Sequence, residues 1–283
     1  MQLSLTFVLA TVSIALASPM PTGNLTQKRG GPGKRGLAWP WYNGSLNPAK
    51  FKDAANSVNL IYDYETYSPI SSNGLGGLFF IGMQRCMDCE SSPINQLAAR
   101  QQQLGFVTLF TLNEPDRNNI SPTDAANWYI QHINPMAIHK SIPTVSSSST
   151  PGQGLDWVRQ FINACAGRCF YDFISVHWYG NSLQEFQNYV TQAHAMFPLT
   201  QLIFPEVALQ NPAGGATAQA AFYRGAFPFL DSLSYVAMYF PFVATSPALL
   251  QTNDRNAAAF VGTGSTLFNN DGSVSAVGQV MFS

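Results

Sequence analysis

The chain has 283 residues, a formal charge of −1, 46% apolar residues and 10% charged residues. So low a charged fraction excludes an extended disordered chain, which needs low hydrophobicity and high net charge. It also excludes a basic nucleic-acid binder, because no dense Lys/Arg surface can be assembled. The length accommodates one or two domains, and a single large barrel fits within it.

Leu5 to Leu16 is an apolar run ending in Ala15-Leu16-Ala17, a small-x-small cleavage signature. The run is too short to span a bilayer. Residues 1–17 therefore read as a signal peptide, and the chain as secreted, to the medium or the cell wall. Residues 18–35 are rich in Gly, Pro and basic side chains and hold two dibasic pairs, Lys28-Arg29 and Lys34-Arg35. Such pairs resemble processing sites of secretory endoproteases, so this stretch reads as a pro-segment. Residues 36–283 then form one domain with 10 Lys+Arg against 15 Asp+Glu, a charge of −5. An acidic domain disfavours nucleic acid and anionic membranes as partners.

Apolar, β-branched and aromatic runs recur at Gly36–Tyr42, Val58–Glu65, Gly77–Gln84, Phe106–Asn113, Ile142–Ser147, Phe173–Tyr179, Gln201–Glu206 and Tyr235–Phe240. Their near-continuous hydrophobicity suits strands buried on both faces. Each gap leaves room for a helix. Ser92-Pro93 opens Ile94–Leu104, which Gly105 closes, and Ser121-Pro122 opens a run to Gln131. Leu155–Ala164, Leu183–Met196 and Thr217–Leu233 follow, the last interrupted near Pro228. Eight strand–helix alternations predict an α/β fold, a (β/α)8 TIM barrel in a single domain. A doubly wound sheet is the alternative, but no GxGxxG follows the first strand.

In an oxidising compartment the four cysteines favour two local disulfides, Cys86 with Cys89 and Cys165 with Cys169, among three possible connectivities. Zinc ranks below disulfides, because the second pair is spaced CxxxC. Asn24, Asn43 and Asn119 open glycosylation sequons, the last followed by Pro122.

Barrel chemistry sits at the C-terminal ends of strands. Residues 36–283 contain five glutamates. Glu185 falls in a helix and Glu90 follows the cysteine pair. Glu65, Glu114 and Glu206 end strands 2, 4 and 7. Strands 4 and 7 approach across the mouth, so Glu114 and Glu206 form a candidate carboxyl pair. Glycosidic hydrolysis needs such a pair, one to protonate the departing oxygen and one to attack the sugar carbon or activate water. A lone strand-end Glu more often caps a helix or pairs with a base; two at these positions are far more specific. A pair using Asp63 or Glu65 ranks lower, because strand 2 is not opposite strand 4. In Asn113-Glu114-Pro115-Asp116, Pro115 favours an extended Glu114, and Asn113 can offer its amide to a sugar hydroxyl.

His177-Trp178-Tyr179 closes strand 6, with His177 and Tyr179 on one face, where either can hydrogen-bond a carboxylate and hold it ionised. Trp39, Trp41 and Tyr42 end strand 1, Tyr62 and Tyr64 strand 2, and Tyr239, Phe240 and Phe242 strand 8. Singly each aromatic is more often core. Together at strand ends they suit the apolar faces of sugar rings. Phe240-Pro241 is a candidate cis bond.

Three pieces of this motif set resemble glycoside hydrolase family 128, β-1,3-glucanases of clan A. They are Asn113-Glu114-Pro115-Asp116, Ser175-Val176-His177-Trp178-Tyr179-Gly180 and Phe204-Pro205-Glu206-Val207, and the likeness extends to the opening Gly36-Leu37-Ala38-Trp39. The resemblance implies a fungal-type catalytic barrel over residues 36–283, active in cell-wall carbohydrate metabolism. It implies Glu114 as acid/base and Glu206 as nucleophile in a retaining double displacement; burial and the ionised Glu206 nearby are expected to keep Glu114 protonated in the free enzyme. Asn113, His177, Trp178, Tyr179, Trp39, Trp41, Tyr64, Tyr239 and Phe242 are the expected substrate-binding residues. The expected ligand is β-1,3-glucan or its oligosaccharides, cut internally by a monomer with neither cofactor nor metal. The chain departs from the family where it reads Pro205-Glu206-Val207 rather than Thr-Glu-Phe, and where no Trp follows strand 8. Those departures keep open a non-catalytic glucan-binding protein; an exo-acting or other clan A glycanase is a further alternative.

Overall fold

A computed structural model of the protein describes residues 33–283. The signal-peptide reading, most of the pro-segment and the Asn24 sequon lie outside the described residues. Ten strand segments form one all-parallel sheet: β1 Arg35–Ala38, β2 Val58–Tyr62, β3 Phe79–Phe80, β4 Gly82–Gln84, β5 Thr108–Asn113, β6 His139–Thr144, β7 Phe173–Ser175, β8 Trp178–Gly180, β9 Gln201–Leu209 and β10 Val236–Pro241. The hydrogen-bonded path runs β3-β2-β1-β10-β9-β7-β6-β5-β4, with β8 also on β9. β3 and β4 flank the single residue Ile81, and Ile81 N donates to Ile61 O at 2.9 Å. Both ends of the path therefore meet in one barrel position. Counted as positions, β3/β4 and β7/β8 each make one, and the eight expected strands close into a barrel.

Helices follow most strands: α1 Leu97–Leu104, α2 Pro122–Trp128, α3 Gly154–Cys165, α4 Leu183–Met196, α5 Gly215–Ser232, α6 Pro247–Asn253 and α7 Arg255–Val261. The expected helix is missing after β1, where only the 3-10 turn Pro48–Phe51 forms, and after β2, where Ser71-Ser72-Asn73-Gly74 and Gly76-Gly77 form turns instead. Ser121, Ser182 and Ser246 cap α2, α4 and α6 through their hydroxyls. Pro228 lies inside a continuous α5 rather than dividing it. No helix of the described residues is long and apolar enough to cross a membrane.

Side chains alternate between two cores. Leu37, Leu109, Ile174, Phe204 and Tyr239 point outward and pack beneath the helices. Ala38, Leu60, Tyr62, Met83, Phe110, Ile203, Met238 and Phe240 fill the barrel lumen. Tyr62, Phe110 and Phe240 meet edge-on there, with ring centroids 5.1 to 5.7 Å apart. Gly36 makes room for them, since a Cβ at that position would lie 2.0 Å from the Phe240 ring. This plug of rings floors the mouth in which the polar strand ends stand.

Two features differ from expectation. The fold begins before residue 36: Arg35 is the first residue of β1, and Lys34 and Arg35 are both buried. The cis bond lies between Phe242 and Val243, not at Phe240-Pro241. The two local disulfides form as favoured, Cys86–Cys89 and Cys165–Cys169. Asn43 is fully buried; its amide donates to Ala244 O at 2.6 Å and its carbonyl accepts from Thr245 Oγ1 at 2.6 Å. A glycan on that sequon is incompatible with this fold.

Candidate active site

Glu114, His177 and Glu206 meet at the barrel mouth. The His177 ring, fully buried, places Nδ1 2.9 Å from Glu114 Oε1 and 3.1 Å from Glu206 Oε2. One ligand-type atom from each residue lies within 4.8 Å of the others. The Tyr179 hydroxyl donates to Glu206 Oε2. The trio has the donor set of a metal site, but each polar atom named is already met by hydrogen bonds within the cluster.

Different local devices aim these side chains. Along the sixth barrel position Ile174, Val176 and Trp178 face the helices, so simple alternation turns His177 and Tyr179 to the mouth. Glu206 breaks alternation. Ile203 faces the lumen and Phe204 the helices, which would send Glu206 outward with Phe204. The register to β10 runs Tyr239 with Phe204 but Pro241 with Val207, two residues against three. This bulge returns Val207 to the helix side and swings Glu206 to the mouth. Glu114 follows the last residue of β5 with φ 47°, not the extended backbone expected before Pro115. Its N–H donates to Thr144 O at 2.8 Å, and the Asn118 amide donates to the carbonyls of Asn113 and Glu114, so the sparsely populated conformation is tied on both sides.

The charges are coupled. Burial works to lower the His177 pKa, but the carboxylates of Glu206 and Glu114 outweigh it and raise it above the ordinary value. Burial works to raise Glu114, but the hydrogen bond and charge of His177, with Arg117, hold it below the usual carboxylate range. Glu206 is pushed up by burial and by Glu114, against the pull of His177 and Tyr179. These directions favour the imidazole over Glu114 as holder of the shared proton, whereas the sequence led to the expectation of a neutral Glu114.

The other candidates divide. The Tyr64 hydroxyl is buried beside Glu206, feels its charge, and helps hold that carboxyl down. Asn113 Oδ1 is buried and unpartnered. Phe242 packs edge-on against Tyr179 at 5.7 Å, and Trp41 is 62% exposed against Tyr42. Three expectations fail. Trp178 packs under α4 and α5 against Phe186 and Phe222. Trp39 is fully buried against Phe268, its indole donating to Ile70 O. Tyr239 faces α5, where its hydroxyl meets Arg35 and Asp231. In each case the strand alternation or the loop turns the ring into core. Glu65 is no partner for Glu114: it accepts from Arg85 Nε at 2.6 Å and from Ser92, and so braces the loop after β4. Burial pushes Asp63 up, and it accepts from Glu65 N at 3.2 Å.

Phe260 went unnoticed in the sequence. It lies on α7, is 47% exposed, and packs on Tyr179 with centroids 5.0 Å apart. No strand-end position marked it; only the fold brings α7 beside the sixth barrel position.

The model of the glycosyl hydrolase catalytic core matches residues 36–281. The alkali-sensitive linkage protein 1 of Schizosaccharomyces pombe is 27% identical over 258 residues, 89% of this chain and 44% of that protein. The chain thus spans less than half the length of this relative. Among solved structures, a subgroup IV endo-β-1,3-glucanase of glycoside hydrolase family 128 from Lentinula edodes superposes with TM-score 0.85 and 56% identity, over 88% of this chain and 98% of that one. A subgroup III curdlan-specific exo-β-1,3-glucanase from Blastomyces gilchristii, solved with glucose, gives TM-score 0.69 and 26% identity over 88% and 97%. On a family model that matches almost the whole described fold and a majority-identical structure, the chain belongs to the glycosyl hydrolase catalytic core family and, within it, to glycoside hydrolase family 128.

Proposed function

We propose that this chain is a secreted, endo-acting β-1,3-glucanase working by double displacement, with Glu206 as nucleophile and Glu114 as acid/base. The observation that carries the reading is the meeting of Glu114 and Glu206, with oxygens within 4.8 Å of one another across His177. Carboxyl groups about 5 Å apart suit a covalent intermediate, whereas inversion needs about 6.5–9.5 Å to admit water between them. The substrate class is supported by the endo-β-1,3-glucanase at 56% identity. Passage through an oxidising compartment is supported by the two disulfides.

Three groups in the site share one proton. In the free form it sits on His177 Nδ1, between two carboxylates. Passing it along the 2.9 Å hydrogen bond gives Glu114 as the acid, neutral His177 and ionised Glu206, with no change in the cluster's total protons. Glu206 then bonds to the anomeric carbon as the glycosidic bond breaks, and Glu114 protonates the departing oxygen. Esterified Glu206 has lost its charge, so Glu114 is released from repulsion and accepts a proton from the attacking water. That water breaks the ester and restores the original configuration. Asn113 Oδ1 and His177 Nε2, both buried and unpartnered, are polar groups at the site free to meet sugar hydroxyls. Trp41 and Phe260 offer exposed rings, the latter packed on Tyr179.

A timed digest of linear β-1,3-glucan tests this, with product sizes by chromatography and anomeric configuration by NMR. A ladder of oligosaccharides with retained configuration is expected. Glucose alone from the first minutes would make the enzyme exo-acting. Inverted product would remove the double displacement, and binding without cleavage would leave a glucan-binding protein.

A further inference from the structure

Lys34-Arg35 reads in the sequence as a processing site, yet it is part of the barrel. The two side chains are only 7% and 6% exposed. The Lys34 ammonium donates to the carbonyls of Leu230, Asp231 and Leu233 at 3.2, 3.2 and 2.8 Å, at the negative C-terminal end of α5. Arg35 donates from Nε to the Tyr239 hydroxyl at 2.7 Å, from Nη1 to Met281 O at 2.8 Å and from Nη2 to Asp231 Oδ2 at 2.8 Å. Its guanidinium also lies 5.0 Å over the Phe227 ring. The backbone is equally engaged: Tyr239 N donates to Lys34 O at 2.9 Å, and Arg35 pairs with both Val58 and Tyr239. The next residue, Gly36, is closed in by Phe240.

An endoprotease for paired basic residues must draw the chain on both sides of the bond into its own cleft as an extended strand. It must also seat both basic side chains in acidic pockets. Here the strand already belongs to the sheet and both cations are already partnered. Cleavage therefore requires the first strand to leave the barrel, an opening that draws on a large share of the fold's stability. Lys28-Arg29, outside the described residues, is separated from this pair by Gly30-Gly31-Pro32-Gly33.

We propose that processing at paired basic residues hydrolyses the Arg29–Gly30 bond and spares Arg35–Gly36, so that Lys34-Arg35 stays in the mature enzyme as a latch joining β1, the end of α5 and the chain's last turn. Water adds across the Arg29–Gly30 peptide bond, leaving a carboxylate on Arg29 and an amine on Gly30. In the cell this rests on passage through the secretory pathway; the chemistry of the two bonds does not.

Two arms separate those points. The full chain, expressed in a secreting fungal host, is recovered from the medium and its N-terminus sequenced: Gly30 is expected, and Gly36 would overturn the proposal. The full chain purified without secretion is treated with a dibasic-specific endoprotease and sampled over time. Cleavage at Arg35–Gly36 in buffer is expected to run on the order of a hundredfold slower than in the unfolded chain, because that bond needs local unfolding. The gap should close in urea at the concentration where tryptophan fluorescence reports global unfolding. An Arg35–Gly36 cleavage rate as fast in buffer as in that urea would overturn the proposal. Lys28→Ala/Arg29→Ala should leave glucan hydrolysis unchanged and the prefix in place; efficient processing of that variant at Arg35 would also refute it.

Discussion

Replacing His177 by Gln removes the cation that stands 2.9 and 3.1 Å from the two carboxylates, with little change in volume. Two opposite unit charges about 4 Å apart attract by about 4 kcal/mol at an effective dielectric of 20, and burial of the imidazolium offsets part of this. The net effect on a carboxyl beside a cation is about 1–3 pKa units, each worth about 1.36 kcal/mol. The sign follows from the protons counted over the cluster. Activity needs one shared proton. Its loss sets the alkaline limb, and in the wild type that proton is held by a histidine whose pKa is raised. A second proton sets the acid limb, and His177 opposes it by holding Glu114 low. Without His177 the acid limb should therefore rise by about 1–3 units. The alkaline limb should fall, because the remaining proton is held by carboxyls alone rather than by a histidine whose pKa the two carboxylates raise. The bell of kcat/KM against pH on a soluble β-1,3-glucan thus narrows from both sides. An unchanged bell in His177→Gln, with the fold intact by circular dichroism, would refute the shared-proton reading.

Glu206→Gln should lower turnover by several orders of magnitude while laminari-oligosaccharide affinity, followed by calorimetry, changes little; near-normal turnover would reassign the nucleophile. Phe260→Ala should raise KM for long oligosaccharides with kcat unchanged, by about 2–10-fold if the ring contributes the usual 0.5–1.5 kcal/mol of an aromatic contact. Tyr179→Phe removes the hydroxyl on Glu206 and should shift the acid limb upward, read from the same pH series. Asn43→Ala leaves the Thr245 hydroxyl and the Ala244 carbonyl without their partner, so urea denaturation should show a loss of about 1–3 kcal/mol, and mass spectrometry should find no glycan at Asn43 in the folded enzyme.

Much of the design is legible in the amino-acid order, because strands buried on both faces leave near-continuous apolar runs and helices between them carry their own caps. The closed parallel barrel, both disulfides and the pairing of Glu114 with Glu206 at strand ends follow from that pattern. So does the side on which His177 and Tyr179 stand, since period-two alternation through Ile174, Val176 and Trp178 decides it. Other features depend on register between strands that are distant in sequence. A two-against-three step beside β10 turns Glu206 inward, and no local propensity announces a bulge. The same holds for the left-handed backbone at Glu114, the burial of Trp39 and Tyr239, and the arrival of Phe260 at the mouth. Lys34 and Arg35 show the limit most clearly: as letters they are two basic residues in a basic stretch, and only the carbonyls of α5 and Met281, some 200 residues away, make them structure. Local order chose the elements, while the closure of the barrel decided which side chains share a face, because contact between remote segments carries no signature in either one alone.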